Sequence, residues 1–426
     1  MTTQSLIAAL RTGDENLPDY LDRLEARFNE WEPRVLAFVP EEGRFARLRR
    51  EARRLLDRYP DGASRPPLFG LPIGVKDIFH VNGSVTRAGS RLPAELLQGS
   101  EAECVSILRR AGALLLGKTV TTEFAYFAPG PTRNPRHLEH TPGGSSSGSA
   151  AAVAAGLCPF AFGTQTIGSI SRPAAFCGVV GFKPSHGRVS ARGVIPLSET
   201  HDHVGFFTND VAGAETMAAH LCENWRESAS EDRRPVLGIP NGPYLEQASP
   251  EGLAHFRKDC RRLADAGFTL KHIDALPDFE EIRRRHLLLV AAEAARFHAT
   301  WFDSYESLYH PKTAELIRSG RTCSEEDITK ARAYRLSMRK NLTDLMGAHD
   351  IDVWISPSAR GPAPRGLEST GDPIMNLPWT HAGLPTLTIP TGTDNAGLPM
   401  ALQLVGRWLE DEGLFQYGKA IEAIRQ

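Results

Sequence analysis

Net charge is nearly absent from this chain. Its 49 Lys and Arg face 51 Asp and Glu, a formal charge of −2 over 426 residues. That balance gives no electrostatic case for nucleic acid or an anionic membrane surface. Paired-cysteine motifs are missing as well. Cys104, Cys158, Cys177, Cys222, Cys260 and Cys323 form no CxxC and keep no regular spacing. They read as buried thiols of a reducing compartment. No apolar run is long. The most apolar stretch, Ala150–Phe162, falls short of the ~18–20 residues of a membrane span. The opening residues, MTTQSLIAAL, lack the basic segment and long apolar run of a secretion signal. These absences predict a cytoplasmic protein without membrane or nucleic-acid partners. Metal-ligand spacing is missing too. His137 with His140 and His201 with His203 are the closest pairs, and neither has a metalloprotease spacing or a neighbouring Cys. No metal or other cofactor is expected.

What is abundant is Gly and Pro, 38 and 30, about 16% together against roughly 12% in average usage. Residues 60–205 hold 33 of these 68 and residues 356–406 another 15. No repeat period accompanies them, which excludes collagen and solenoids. Two loop-rich blocks are thus set in a helix-rich remainder, and binding and catalysis concentrate in loops held on a scaffold. Hydrophobic content is 41%. A chain of this length can bury a core without disulfides or metals.

Coarse patterning predicts an α/β fold. Helical spacing runs through Leu17–Trp31 and again through Phe45–Tyr59, an Arg-rich segment read as a solvated face because acids interleave. Leu71–Val75, Ala113–Leu116, Val179–Phe182 and Val353–Ile355 read as buried strands. Glu101–Gly112 reads as a helix ending in Gly, and Ser147–Gly156 as a small-residue helix that lets another element approach closely. Residues 226–235 are a polar connection, and 249–348 are mostly amphipathic helix. Strands alternating with helices imply a largely parallel or mixed sheet.

Three motifs match without their structural context. Gly112–Thr119 fits the phosphate-binding P-loop pattern, but the residues between its glycines form an apolar strand where a loop is needed. Gly144-Ser145-Ser146-Ser147-Gly148 fits a nucleophile elbow, but Pro142 precedes it where a strand is required. Ser337–Lys340 fits S-x-x-K within a charged helix, without companion motifs.

Three other pieces carry chemistry. Lys76 closes the apolar strand of Gly70–Asp77, which places its amine near a buried layer. Burial disfavours the ammonium, and a neutral Lys can serve as a general base. Pairing with Asp77 is the competing reading. Next, four Ser occupy the five positions 145–149 ahead of an Ala-rich helix. One could cap the helix, and the surplus hydroxyls could relay a proton. Finally, Gly163–Ser169 is a run of small residues whose backbone N–H groups could line up around one point, as in an oxyanion hole, or form an ordinary turn.

The order and spacing of these pieces resemble the amidase signature family, the Ser–cisSer–Lys amide hydrolases. Gly117-Lys118-Thr119, Glu123-Phe124-Ala125 and Pro131–Pro135 resemble its upstream block. Ser145 and Ser169 stand 24 apart, the family spacing. Gly383–Pro390 and Gly397–Gln403 resemble its C-terminal segment. The resemblance implies a single α/β domain over 1–426, with a mixed, mostly parallel sheet wrapped by helices. Within it, 1–59 would be N-terminal helices, 60–225 the catalytic core, 226–355 a helical cover and 356–426 a C-terminal core segment and pocket wall. It implies Ser169 as nucleophile, Ser145 after a cis peptide bond as bridge, and Lys76 as base. Backbone N–H groups of Thr166, Ile167, Gly168 and Ser169 would form the oxyanion hole, with Ser146 and Gly144 in support. The substrate would be a small carboxamide or ureido compound, hydrolysed through an acyl-enzyme. A glutamine-hydrolysing subunit of an amidotransferase assembly, or a catalytically silent binding protein, are the alternatives. The expected partner is the small-molecule amide substrate, with the chain as a monomer or homodimer.

Three positions depart from the family pattern. Gln165 stands for Asp, Ile167 for Gly, and Ser171 for Arg, with Arg172 one place later. Tyr126, Phe127, His203, Met375, Trp379 and His381 are candidate pocket residues.

Overall fold

The computed structural model describes residues 1–226 and 233–424. Most of the polar connection 226–235 lies outside the described residues. Ten strands form one sheet: β1 (Pro72–Lys76), β2 (Leu114–Thr119), β3 (Phe160–Gln165), β4 (Val180–Lys183), β5 (His203–Thr208), β6 (Val236–Pro240), β7 (Thr269–Ile273), β8 (Val353–Pro357), β9 (Thr386–Thr393) and β10 (Pro399–Val405). Their order is β2-β1-β3-β5-β4-β9-β10-β8-β6-β7.

The expected mixed α/β sheet is present, with its pairing distributed unevenly. The flanks β2-β1-β3 and β8-β6-β7 are parallel. Every pairing in the middle, from β3 to β8, is antiparallel. Parallel pairing therefore dominates only the flanks, which corrects the mostly parallel sheet expected above. The reason is the chain path. Parallel neighbours need helical crossovers, whereas β9 and β10 are joined by a short Gly-containing turn that permits only antiparallel pairing.

β1 and β2 are buried at every position, their apolar runs continuing into the buried Lys76 and Lys118, as strands covered on both faces. The exposed side of β2 is closed by the helix Arg44–Arg58. Arg47 donates to the carbonyls of Leu115 and Leu116 at 2.8 and 3.2 Å. Arg49 on the same helix meets Asp22 at 2.7 Å. The Arg-rich face is thus partly a sheet-edge cap and partly a salt-bridged surface. Opposite β1 and β3 lies the helix Ser147–Ala154, buried from Ser147 to Val153. A Cβ on Gly148 would sit 2.2 Å from the Ala37 carbonyl oxygen, so only Gly allows that approach.

The sequence reading missed β3, β5, β6, β7, β9 and β10 as strands. β3 lies within an Ala-rich run whose length suits either state, and β5 carries a Gly that weakens its pattern. The six cysteines are free thiols, and Cys104, Cys158, Cys177 and Cys222 are buried. Among the described residues no helix is long and apolar enough to cross a membrane.

Candidate active site

The parallel pairing of β1 with β3 sets the site. Lys76 is the last residue of β1, and Ser169 follows the end of β3 by four residues. Parallel neighbours end on the same side of a sheet, so both arrive at one edge. Ser145 sits in the turn ahead of the helix Ser147–Ala154, after a cis peptide bond at Gly144–Ser145.

Lys76 is completely buried. Its Nζ lies 2.7 Å from the Ser145 hydroxyl and 2.7 Å from the Thr164 hydroxyl. Burial holds the amine well below its ordinary pKa, opposed only by the charge of Asp202. The competing reading, a pair with Asp77, does not form. Asp77 pairs with Lys118 at 2.8 Å instead. That pair also explains the P-loop match, because Lys118 lies inside β2 and is committed to a carboxylate.

Ser145 and Ser169 line one narrow cavity of about 10 Å³, room for a water-sized molecule. Tyr126, Phe127, Thr166, Ile167 and Arg172 share its wall. The N–H groups of Thr166, Ile167, Gly168 and Ser169 enter no hydrogen bond among the described residues. The next two N–H groups are taken: Gln165 Oε1 accepts from Ile170 and Ser171 at 2.8 and 2.9 Å. A Cβ on Gly168 would fall 2.3 Å from Asn376 Oδ1, so the loop can pass only as Gly. Ser146 is buried and braces β3, with its hydroxyl 3.2 Å from both the N and the O of Thr164. A buried side chain on a helix start is no nucleophile elbow. Ser337 is likewise spent, donating to the Tyr334 carbonyl on an exposed helix face.

The departures at 165 and 171 fit one another. Gln165 Nε2 donates to Thr380 Oγ1 at 2.9 Å, and Thr380 Oγ1 donates to the Ile167 carbonyl at 2.7 Å. A carboxylate at 165 could only accept. The amide accepts from one side of the loop and donates toward the other, and it needs no cation. Ser171 accordingly carries a hydroxyl, 3.3 Å from that of Thr386.

Sequence reasoning missed Thr164 and Asp202. Thr164 shares a strand face with Phe160 and Phe162, and period-2 alternation from β3 could have found it. Asp202 accepts from Thr166 Oγ1 at 2.5 Å and from the N–H groups of Leu197 and Ser198 at 2.8 and 3.0 Å. Burial raises its carboxyl to about 6 against these donors. Nothing local in the sequence marks it.

The candidate pocket residues separate. Tyr126 and Phe127 stand at the cavity. His203 instead lines a larger cleft of about 570 Å³ that also touches Thr164 and Asp202. Met375 and Trp379 are core residues. The Trp379 indole donates to Tyr244 Oη at 2.9 Å, which donates to the Met375 carbonyl at 2.7 Å. Their position in a Pro/Gly-rich block suggested a wall, but large apolar side chains are buried first. His381 is buried with His201 and His286, with ligating atoms of all three within 4.8 Å of one another. Among the described residues this is the one group with metal-ligand proximity. The Arg335 guanidinium acts on all three imidazoles, and burial holds each below its ordinary pKa.

A model of the Amidase family matches residues 24–415. The chain belongs to the Amidase family. A glutamyl-tRNA(Gln) amidotransferase subunit of Myxococcus xanthus (strain DK1622) is 32% identical, over 99% of this amidase and 96% of the relative. The corresponding amidotransferase subunit of Synechococcus sp. (strain WH7803) is 31% identical, over 97% and 95%. Among solved structures, an amidase crystal structure superimposes with a TM-score of 0.88 at 32% identity, covering 99% of each chain. A chain from a vestigial complex bearing on the origins of an s-triazine catabolic enzyme gives 0.89 at 28%, covering 99% and 98%. The peptide amidase of Stenotrophomonas maltophilia gives 0.82 at 25%, covering 99% and 96%. This protein is an amide-bond hydrolase by family and by fold.

Proposed function

We propose that this amidase hydrolyses a small carboxamide or ureido C–N bond through an acyl-enzyme on Ser169. The observation that carries the reading is the setting of Lys76: an amine with no carboxylate partner, fully buried, between two hydroxyls. A Ser hydroxyl is a weak nucleophile until a base removes its proton. Neutral Lys76 takes the proton of Ser145, and Ser145 takes that of Ser169. Ser169 Oγ then bonds to the substrate carbonyl carbon, and the carbonyl oxygen becomes an oxyanion facing the free N–H groups of 166–169. The C–N bond breaks as the proton returns through Ser145 to the leaving nitrogen. Water repeats the relay on the acyl-enzyme and releases the acid. Ile167 narrows the acyl site, which suits small acyl groups.

The deciding experiment is a panel of aliphatic, aryl and ureido amides, with Ser169→Ala as control. Turnover that survives in Ser169→Ala sinks the assignment.

A second reading has its own observation. The curated relatives named above are amidotransferase subunits over nearly their whole length. In that reading the chain releases ammonia from glutamine for a protein partner. A stable complex on co-purification, with ammonia release that depends on it, would decide for it. The altered loop 165–172 favours the first reading.

A further inference from the structure

Two arginines outside the cavity of Ser169 carry charge that nothing answers. Arg335 and Arg339 lie one turn apart on the helix Glu325–Ala348. Arg335 is 7% exposed, and its Nε and Nη2 are buried with no partner among the described residues. Arg339 Nε donates to the Ala382 carbonyl at 2.7 Å, and its guanidinium lies over the Trp408 ring, 3.4 Å from the centre. Its Nη2 is likewise buried without a partner among the described residues.

The two idle Nη2 atoms meet at Gly383, the turn that ends the helix Leu377–Ala382. A Cβ on Gly383 would stand 2.8 Å from Arg335 Nη2, 2.9 Å from Arg339 Nη2 and 3.1 Å from His186 Cβ. His186 also lines the cleft of about 570 Å³ described above. No free acid balances the pair. Glu293, whose charge reaches Arg335, is held by Ser198 and Arg332, each at 2.6 Å. The other neighbours are basic. Lys183, His186, His203 and His381 all feel the Arg335 charge, and burial holds each below its ordinary pKa. Burial, with Arg339 beside it, brings Arg335 itself down to about 10.

Two like charges buried side by side with idle donors are costly unless an anion joins them. Nε and Nη2 lie on one edge of the Arg335 guanidinium and can grip two oxygens at once. Arg339 Nη2 supplies a third donor from a second guanidinium. Three such donors suit an anion with at least three oxygens, and two uncompensated cations suit a double negative charge. We propose that Arg335 and Arg339 bind a dianionic oxyanion of the phosphate class, free or as a monoester, beside Gly383. The same positive surroundings oppose a metal ion at the neighbouring imidazoles His201, His286 and His381. The bound anion ties the helix Glu325–Ala348 to the Gly383 turn. Thr380, three residues earlier, donates to the Ile167 carbonyl at 2.7 Å, so the site connects to the loop 166–169.

Calorimetric titration of the wild type, in a buffer free of phosphate and sulfate, tests this. Inorganic phosphate should saturate one site per chain. Arg335→Gln should weaken binding by at least about tenfold, and Arg339→Gln by a smaller factor. Ser169→Ala should leave the affinity unchanged. Succinate, whose two charges sit on separate carboxylates, should bind at least about tenfold more weakly than phosphate. Methyl phosphate separates the sources: binding equal to that of phosphate assigns a monoester, and weaker binding assigns the free ion. No saturable site in the wild type overturns the inference. So does an affinity that Arg335→Gln leaves unchanged or that Ser169→Ala abolishes. Succinate that binds as tightly as phosphate overturns the ligand class. Thermal unfolding decides the case if Arg335→Gln fails to fold. Phosphate should raise the Tm of the wild type by more than that of Arg339→Gln, and an equal rise in both overturns the site.

Discussion

Asp77 pairs with Lys118 at 2.8 Å and leaves Lys76, its neighbour in sequence, without an acid. Alternation along β1 and its turn sends the two side chains to opposite faces of the sheet. The amine that remains can stay neutral, and the first expectations follow from it.

Loss of the Ser169 hydroxyl should abolish turnover while the fold persists. Ser169→Ala should lower kcat by at least about 10⁴-fold with an unchanged circular dichroism spectrum. A serine-reactive probe should modify the peptide containing Ser169. Modification of Ser146 instead would move the nucleophile to the turn.

The pH profile should carry an acid limb. Protonated Lys76 cannot accept from Ser145, so kcat/KM falls as pH drops through the depressed pKa of the amine. A flat profile down to pH 5 would count against a neutral base. Folding also strips Lys76 of a proton below its ordinary value of 10.5, so its share of stability rises with pH up to that value.

Asp202→Asn keeps an acceptor for the Leu197 and Ser198 N–H groups and removes the charge that opposes the depression of Lys76. Its acid limb should move to lower pH. The raised carboxyl of Asp202, at about 6, favours the fold fully below its ordinary 3.8 and loses that contribution as pH rises through about 6. Chemical denaturation at pH 4 and pH 8 should therefore show a smaller pH dependence in Asp202→Asn. An unmoved acid limb would remove Asp202 from the relay's electrostatics.

Thr164→Val should leave the cavity shape intact and take one of the two hydroxyls from Lys76. Steady-state kinetics should show kcat down by roughly tenfold to a hundredfold with KM little changed. A loss in KM alone would make Thr164 a binding residue.

Far from the site, Arg188 donates to Asp411 at 2.9 Å and to Glu412, and Ser185 donates to Asp411 at 2.7 Å. This buried network ties the end of β4 to the helix Asp411–Ile424. Arg188→Ala strands two carboxylates and should cost about 3–5 kcal/mol in urea unfolding, with activity per folded molecule retained. A cost below about 1 kcal/mol would mean that the pair contributes little.

The candidate site was legible where one residue type at one spacing carried the chemistry. Lys76, Ser145 and Ser169 stand in motifs whose Gly and Ser content has few other uses, and the structure brings Lys76 to Ser145 and Ser145 to the cavity of Ser169. Thr164 and Asp202 were not legible, because their contacts depend on which elements meet in space. Met375 and Trp379 misled for the opposite reason: a large apolar residue beside a motif looks the same whether it walls a pocket or fills a core. β1, β2, β4 and β8 were readable from short apolar runs. β3, β5, β9 and β10 were not, since Gly, Thr, Pro or Gln interrupt their apolar residues.

The two parallel flanks have a consequence for ancestry. Lys76, Ser145 and Ser169 all belong to the flank β2-β1-β3 and its connections, encoded before residue 170. The helices between β7 and β8 lie in a separate stretch of chain. None of the described residues lining the cavity of Ser169 comes from it, so the reacting groups and that stretch are inherited as separable parts of one chain.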